Sequence, residues 1–133
     1  MEQIISSPSR SGRARIPARQ IVKRLDAFLL EHLDEPIQMA RLCGATGVSE
    51  RSLRNACHQI CGTSPKRYLT RRRMEAVRHA LENARPGEST VTRIATDYGF
   101  FELGRFAATY SLLFGERPSD TLRGGASGAA SAA

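Results

Sequence analysis

Residues 41–65, RLCGATGVSERSLRNACHQICGTSP, and residues 93–118, RIATDYGFFELGRFAATYSLLFGERP, decide how this chain folds, because the second stretch repeats the first. A shift of 52 residues pairs Met39 with Val91, Arg41 with Arg93, Leu42 with Ile94, Cys43 with Ala95, Gly47 with Gly99 and Val48 with Phe100. Beyond the glycine the shift becomes 53, and Leu53 meets Phe106, Cys57 meets Tyr110, Ile60 meets Leu113, Cys61 meets Phe114, Gly62 meets Gly115 and Pro65 meets Pro118. The second copy has gained one residue, placed by this reading at the start of its later helix.

Each copy calls for a short helix, a glycine able to adopt the positive φ of a tight turn, an apolar residue, and a capped second helix with apolar positions at i, i+4 and i+7. That pattern is a helix-turn-helix. The small side chain shared by Cys43 and Ala95 lets the two helices cross closely, since a larger group would push them apart.

Outside the repeats the apolar residues keep helical spacing, as in Ile21, Val22, Leu25, Phe28, Leu29 and Leu33, and no stretch alternates like a strand. The reading is an all-α, homeodomain-like module of about seven helices, two helix-turn-helix subdomains joined by a long linker helix. Helices are expected from Ala18 to His32, from Ile37 to Ala45, and from the Ser49 cap to Gly62. The longest runs from Ser64 to Ala84, with Pro65 in its first turn. It would measure about 31 Å at 1.5 Å per residue, close to the roughly 34–36 Å between successive major-groove faces of B-DNA. A helix capped by Thr90 stops at Gly99, another spans Glu102 to Phe114, and Pro118 opens a last turn. The folded domain is expected over residues 18–123. Residues 1–17, rich in Ser, Arg and Gly, and the Gly/Ala/Ser tail 124–133 carry too little to bury and are expected to be disordered.

Twenty Lys and Arg against 13 Asp and Glu leave a net charge of +7, the footprint of a protein that meets a polyanion. The three cysteines, Cys43, Cys57 and Cys61, are odd in number and lie in apolar stretches, which argues against a secreted disulfide framework and for the reducing cytoplasm. No apolar run approaches the roughly 20 residues that span a bilayer, and the N-terminal stretch MEQIISSPSRSGRARIP lacks a hydrophobic signal core, so no membrane partner is expected. Cys57 and Cys61 stand one helical turn apart with His58 between them, but the remaining ligands of a zinc site are missing and core thiols are the expectation. With no nucleophile motif, phosphate loop or paired carboxylates in an apolar setting, neither an enzyme nor a metal or other cofactor is expected.

These words resemble the DNA-binding domain of the AraC/XylS family of bacterial transcription regulators. The matching residues are GVSERSLRNACHQICGTSPKRYL (Gly47 to Leu69), the spacing of Arg73, Met74, Val77 and Leu81, and IATDYGFFELGRFAATYSLLFGERPS (Ile94 to Ser119). The resemblance covers nearly all of the folded region and implies sequence-specific binding of double-stranded DNA, transcription regulation (activation among its modes), and RNA polymerase as a partner. It also places Arg73 toward the interior, where an internal salt bridge is expected. The separate ligand-sensing or dimerisation domain that such regulators carry is not expected within these 133 residues, nor is a small-molecule effector expected on this module. The chain is then a compact regulator or the terminal part of a longer one. A protein-interaction module is the alternative, and a DNA-repair methyl acceptor would require a metal-held cysteine array.

Recognition helices read base edges with their N-terminal residues and the outward face of their first two turns. In the first unit this selects Glu50, Arg51, Arg54 and Asn55: the arginines suit guanine O6/N7, Asn55 adenine N6/N7, and Glu50 cytosine N4. In the second it selects Glu102, Leu103, Gly104, Arg105, Ala108 and Thr109, with Leu103 and Ala108 able to touch thymine methyls. Phosphate contacts are expected from Ser49, Lys66, Arg71, Arg72, Thr90, Arg93 and Arg117. Cys57 replaces an aromatic usual in the family, Ala108 an arginine, and Gly104 a polar residue, so the first unit is expected to carry most of the sequence choice.

Overall fold

A computed structural model describes residues 16–124 except Pro86. The expectation of disorder at the two ends falls almost wholly outside the described residues. Six α-helices follow one another as α1 (Ala18–His32), α2 (Met39–Thr46), α3 (Glu50–Cys61), α4 (Pro65–Asn83), α5 (Val91–Asp97) and α6 (Leu103–Phe114). Residues 118–124 form a seventh, α7. No strand occurs among the described residues.

The chain divides into two compact units. The first comprises α1 up to Phe28 together with α2 and α3, up to Pro65. Its buried side chains are Ile21, Val22 and Leu25 of α1, Leu42 of α2, and Leu53, Ala56 and Cys57 of α3. α2 packs on α3, and Arg24 Nη1 donates to the Thr46 carbonyl at 2.9 Å, tying α1 to the end of α2. Thr46 itself is fully buried and returns its hydroxyl to the Leu42 carbonyl at 2.8 Å, so no polar atom there is stranded.

The second unit comprises residues 29–37 and the described residues from Lys66 onward. Met74, Val77 and Leu81 of α4, Ile94 and Ala95 of α5, and Phe106 and Tyr110 of α6 make its core. The long helix is therefore more than a connection between repeats, because its apolar stripe supplies three of these seven core residues. It holds 19 residues, slightly fewer than expected. The rings of Phe100, Phe106, Tyr110 and Phe114 follow one another with centroids 5.1, 5.8 and 4.7 Å apart in tilted or edge-on geometry. The buried Tyr110 hydroxyl donates to Thr121 Oγ1 of α7 at 2.7 Å, and Thr121 donates in turn to Glu116.

Arg73 is half-buried, turned inward from α4, but its partners are carbonyls and not a carboxylate. Its Nε donates to the Leu33 carbonyl at 3.0 Å and its Nη2 to the Glu35 carbonyl, both in the segment that leaves α1. Burial lowers the pKa of this guanidinium from its ordinary value. The expected salt bridge is thus corrected: a helix end offers unpaired carbonyls, and a planar fork of donors satisfies two at once.

The repeat reappears in the helices, residue for residue in α3 and α6. Adding 53 to the bounds of α3 reproduces those of α6, and Gly62 and Gly115 close the two helices with φ of 73° and 74°. The gained residue does not enter the helix, however. The turn between α2 and α3 is Gly47 to Ser49, whereas that between α5 and α6 runs from Tyr98 to Glu102. The caps differ as well. Ser49 Oγ accepts the Ser52 backbone N–H at 3.1 Å, while Glu102 caps α6 with no side-chain hydrogen bond.

Two stability measurements follow. Arg73→Ala strands two carbonyls and is expected to lower the unfolding free energy by about 1–3 kcal/mol, read as a lower urea midpoint at unchanged slope. Ser49→Ala is expected to cost about 1 kcal/mol and Glu102→Ala under about 0.5 kcal/mol, since only the first removes a cap; equal losses would contradict the difference between the two turns.

Candidate nucleic-acid interface

In the first unit the core-facing residues of α3 fix what its other face shows. Leu53 and Cys57 are fully buried one turn apart, with Ala56 beside them. Glu50, Arg51, Arg54 and Asn55 are consequently turned to solvent together, as are His58 and Gln59 one turn further on. Ser49 stands exposed at the N-cap, where it and the first free N–H groups of the helix make a local positive end. Arg54 Nη2 reaches Glu50 Oε2 at 2.6 Å, with both side chains about half exposed. An exposed pair of this kind contributes little, roughly 0.2–1 kcal/mol, so either partner can exchange it for another hydrogen bond at small cost.

Burial pushes the Cys57 thiol up to about 11, with Cys61 and Asp26 adding to the effect. A thiol held protonated in the core acts as a small apolar side chain. Among the described residues no group of three His, Cys, Asp or Glu side chains is placed to hold a metal ion.

The second unit presents a plainer surface. Glu102, Gly104, Arg105 and Ala108 are exposed on α6, and Thr109 is half-buried. Arg105 Nε lies 3.5 Å from Glu102 Oε1 in a fully solvated pair. A side chain at Gly104 would meet nothing within 4 Å, so its absence simply flattens this face. Leu103 is placed differently from expectation: it is half-buried and packs against the unit's own core.

Of the residues expected at phosphates, Ser49, Lys66, Thr90, Arg93 and Arg117 sit at helix starts or exposed turns, and Arg71 and Arg72 lie further along α4. Lys66 is exposed in the first turn of α4, and Arg71 is exposed with its guanidinium 6.0 Å from the Tyr68 ring. Arg72 is more engaged, half-buried, 5.9 Å from the same ring and 3.8 Å from Glu75. Thr90 caps α5 by accepting the Arg93 N–H at 3.0 Å, and Arg93 itself is exposed. Arg117 donates from Nε and Nη2 to Asp120 at 3.1 and 3.2 Å, which raises its own pKa and holds the Asp120 carboxyl below its usual value.

Sequence reasoning passed over some exposed groups. Arg19 and Lys23 stand one turn apart on α1 and, with Pro17, Gln20, Arg24 and Ala27, line an open hollow of about 560 Å³. Their i, i+4 spacing in ARQIVKRL was the signal for a basic helix face. Phe101 is 75% exposed in the turn before α6, whereas the sequence reading placed the inserted residue at the start of the helix. No helix of the described residues is long and apolar enough to cross a membrane.

Residues 42–124 match the family described as a helix-turn-helix domain. The XylDLEGF operon transcriptional activator of Pseudomonas putida is 43% identical over 101 residues, which make up 76% of this chain and 32% of that protein, so the chain spans about a third of its length. A second such activator from the same organism, XylDLEGF operon transcriptional activator 2, is 36% identical over 92% of this chain and 76% of its own. Among solved structures, a probable AraC family transcriptional regulator from Rhodopseudomonas palustris is 34% identical, with a TM-score of 0.69, over 77% of this chain and 94% of its own. An AraC-type regulator from Chromobacterium violaceum shares the fold at a TM-score of 0.75 and 22% identity, over 82% and 95% of the two chains. With the duplicated helix pair, its glycine-closed helices and these relatives in agreement, the chain belongs to the AraC/XylS family of helix-turn-helix transcriptional regulators.

Proposed function

We propose that this chain binds double-stranded DNA sequence-specifically through α3 and α6 and regulates transcription in the bacterial cytoplasm. The observation that carries the reading is the outward face of α3. Its first two turns expose Glu50, Arg51, Arg54 and Asn55 side by side, a donor and acceptor set that matches base edges in the major groove. In this reading each unit supplies one recognition helix and the two helices occupy consecutive major grooves. Arg51 and Arg54 address guanines, Asn55 an adenine and Glu50 a cytosine.

On α6, Arg105 is the base-reading cation, exchanging Glu102 for a base, while Gly104 and Ala108 allow the helix close approach to the groove floor. Leu103, half-buried, keeps the helix start in place and touches the groove at most with its edge. Ser49, Lys66, Arg71, Arg72, Thr90, Arg93 and Arg117 bind phosphates, Arg72 from its half-buried place beside the Tyr68 ring. Activation through contact with RNA polymerase is the mode proposed, in line with the transcriptional activators among the relatives. No enzymatic step and no small-molecule effector are assigned to this module.

Selection from a randomised duplex pool followed by footprinting tests the reading. Protection over about two helical turns is expected. Arg51→Ala and Arg54→Ala are expected to change the preferred sequence, each costing about 1–3 kcal/mol at its own base pair. Lys66→Ala is expected to weaken all duplexes alike and to reduce the slope of log K against log salt by about 0.9. Equal binding to every duplex, or none at low salt, would overturn the proposal.

A further inference from the structure

Pairing the two repeats leaves one residue without a counterpart. Gly47 answers to Gly99, Val48 to Phe100 and Ser49 to Glu102, so the additional residue of the second turn is Phe101. Both of its neighbours are committed. Phe100 is half-buried, its ring 5.1 Å from that of Phe106, and Glu102 is the N-cap of α6. Phe101, at 75% exposure, adds almost nothing to the core. A turn that has merely lengthened would accept any small polar residue; this one carries a phenyl group in water, immediately before the end of the helix that meets base edges in this motif.

The rest of that helix face is poor in readers, with Gly104 and Ala108 bare and Arg105 beside Glu102. What a phenyl edge can read in a major groove is apolar, and the one apolar group there is the C5 methyl of thymine. We infer that Phe101 is a specificity-determining residue that contacts the C5 methyl of a thymine in the half-site of the second unit. This rests on the DNA-binding reading above. The second unit then discriminates by apolar contact where the first does so by hydrogen bonds.

The test uses the full chain and the tightest duplex from the randomised pool, each thymine of the second half-site being replaced in turn by deoxyuridine, which removes only the methyl. One replacement is expected to weaken the wild-type chain about fourfold, the effect of burying one methyl-sized group. Phe101→Ala is expected to bind the thymine and uracil duplexes equally, and Phe101→Leu to keep part of the discrimination. Wild-type binding indifferent to every replacement overturns the inference, as does a Phe101→Ala variant that still discriminates fourfold. Loss of transcription activation by Phe101→Ala with methyl sensitivity intact also overturns it, assigning the ring to a protein partner. Failure of the chain to select any duplex removes the DNA-binding reading together with this inference, whereas selective binding without methyl sensitivity removes the inference alone.

Discussion

Two buried pairs, Leu53 with Cys57 on α3 and Phe106 with Tyr110 on α6, set the rotation of the two exposed helices about their own axes. Residues four apart share one face of a helix, so once these pairs are inside, the outward identity of every other position on the helix is determined. Everything assigned to the interface depends on this. A turn of one residue would bring Leu53 and Cys57, or Phe106 and Tyr110, to the surface, and in one direction it would bury Arg54 or Arg105 at the desolvation cost of a cation. The glycines with φ of 73° and 74° that close α3 and α6 hold the same constraint at the far end, because the chain must leave both helices in the left-handed region, where residues with a Cβ are strained.

The two units solve the same packing problem with different materials. In the first, a sulfur and small or branched aliphatic groups fill the space between α2 and α3, and the first turn of α3 is tied down by the Ser49 cap. In the second, a run of four aromatic rings does the filling, and a hydroxyl chain from Tyr110 through Thr121 to Glu116 anchors α7. Here α6 has no side-chain cap and a longer entry turn. In the proposed complex, this unit has fewer hydrogen-bonding groups for bases and more apolar surface near its helix start.

The charge pattern is economical in both units. Glu50 with Arg54 and Glu102 with Arg105 pair an acid and a base on the face proposed to meet DNA. Such solvated pairs are weak, and the bases of a duplex compete with them on nearly equal terms. Arg73 shows the opposite use of the same side chain. Its guanidinium is drawn into the second unit and spent on the Leu33 and Glu35 carbonyls, which removes it from the interface altogether.

By itself the sequence determined the helical class, the duplication, the glycine-closed helix ends and most helix bounds. Those features follow from local periodicity and from backbone geometry that few residues can adopt. It also determined which face of α3 lies outside, since apolar spacing alone separates the two faces. Tertiary structure decided the rest. Leu103 packs against the second unit's core, Arg73 found carbonyls because the chain leaving α1 lies beside it, and α4 became part of a core and not only a connection. The inserted residue could be counted from the sequence, but its place in the turn, and therefore the exposure of Phe101, depended on where α6 could begin while keeping Phe106 and Tyr110 buried.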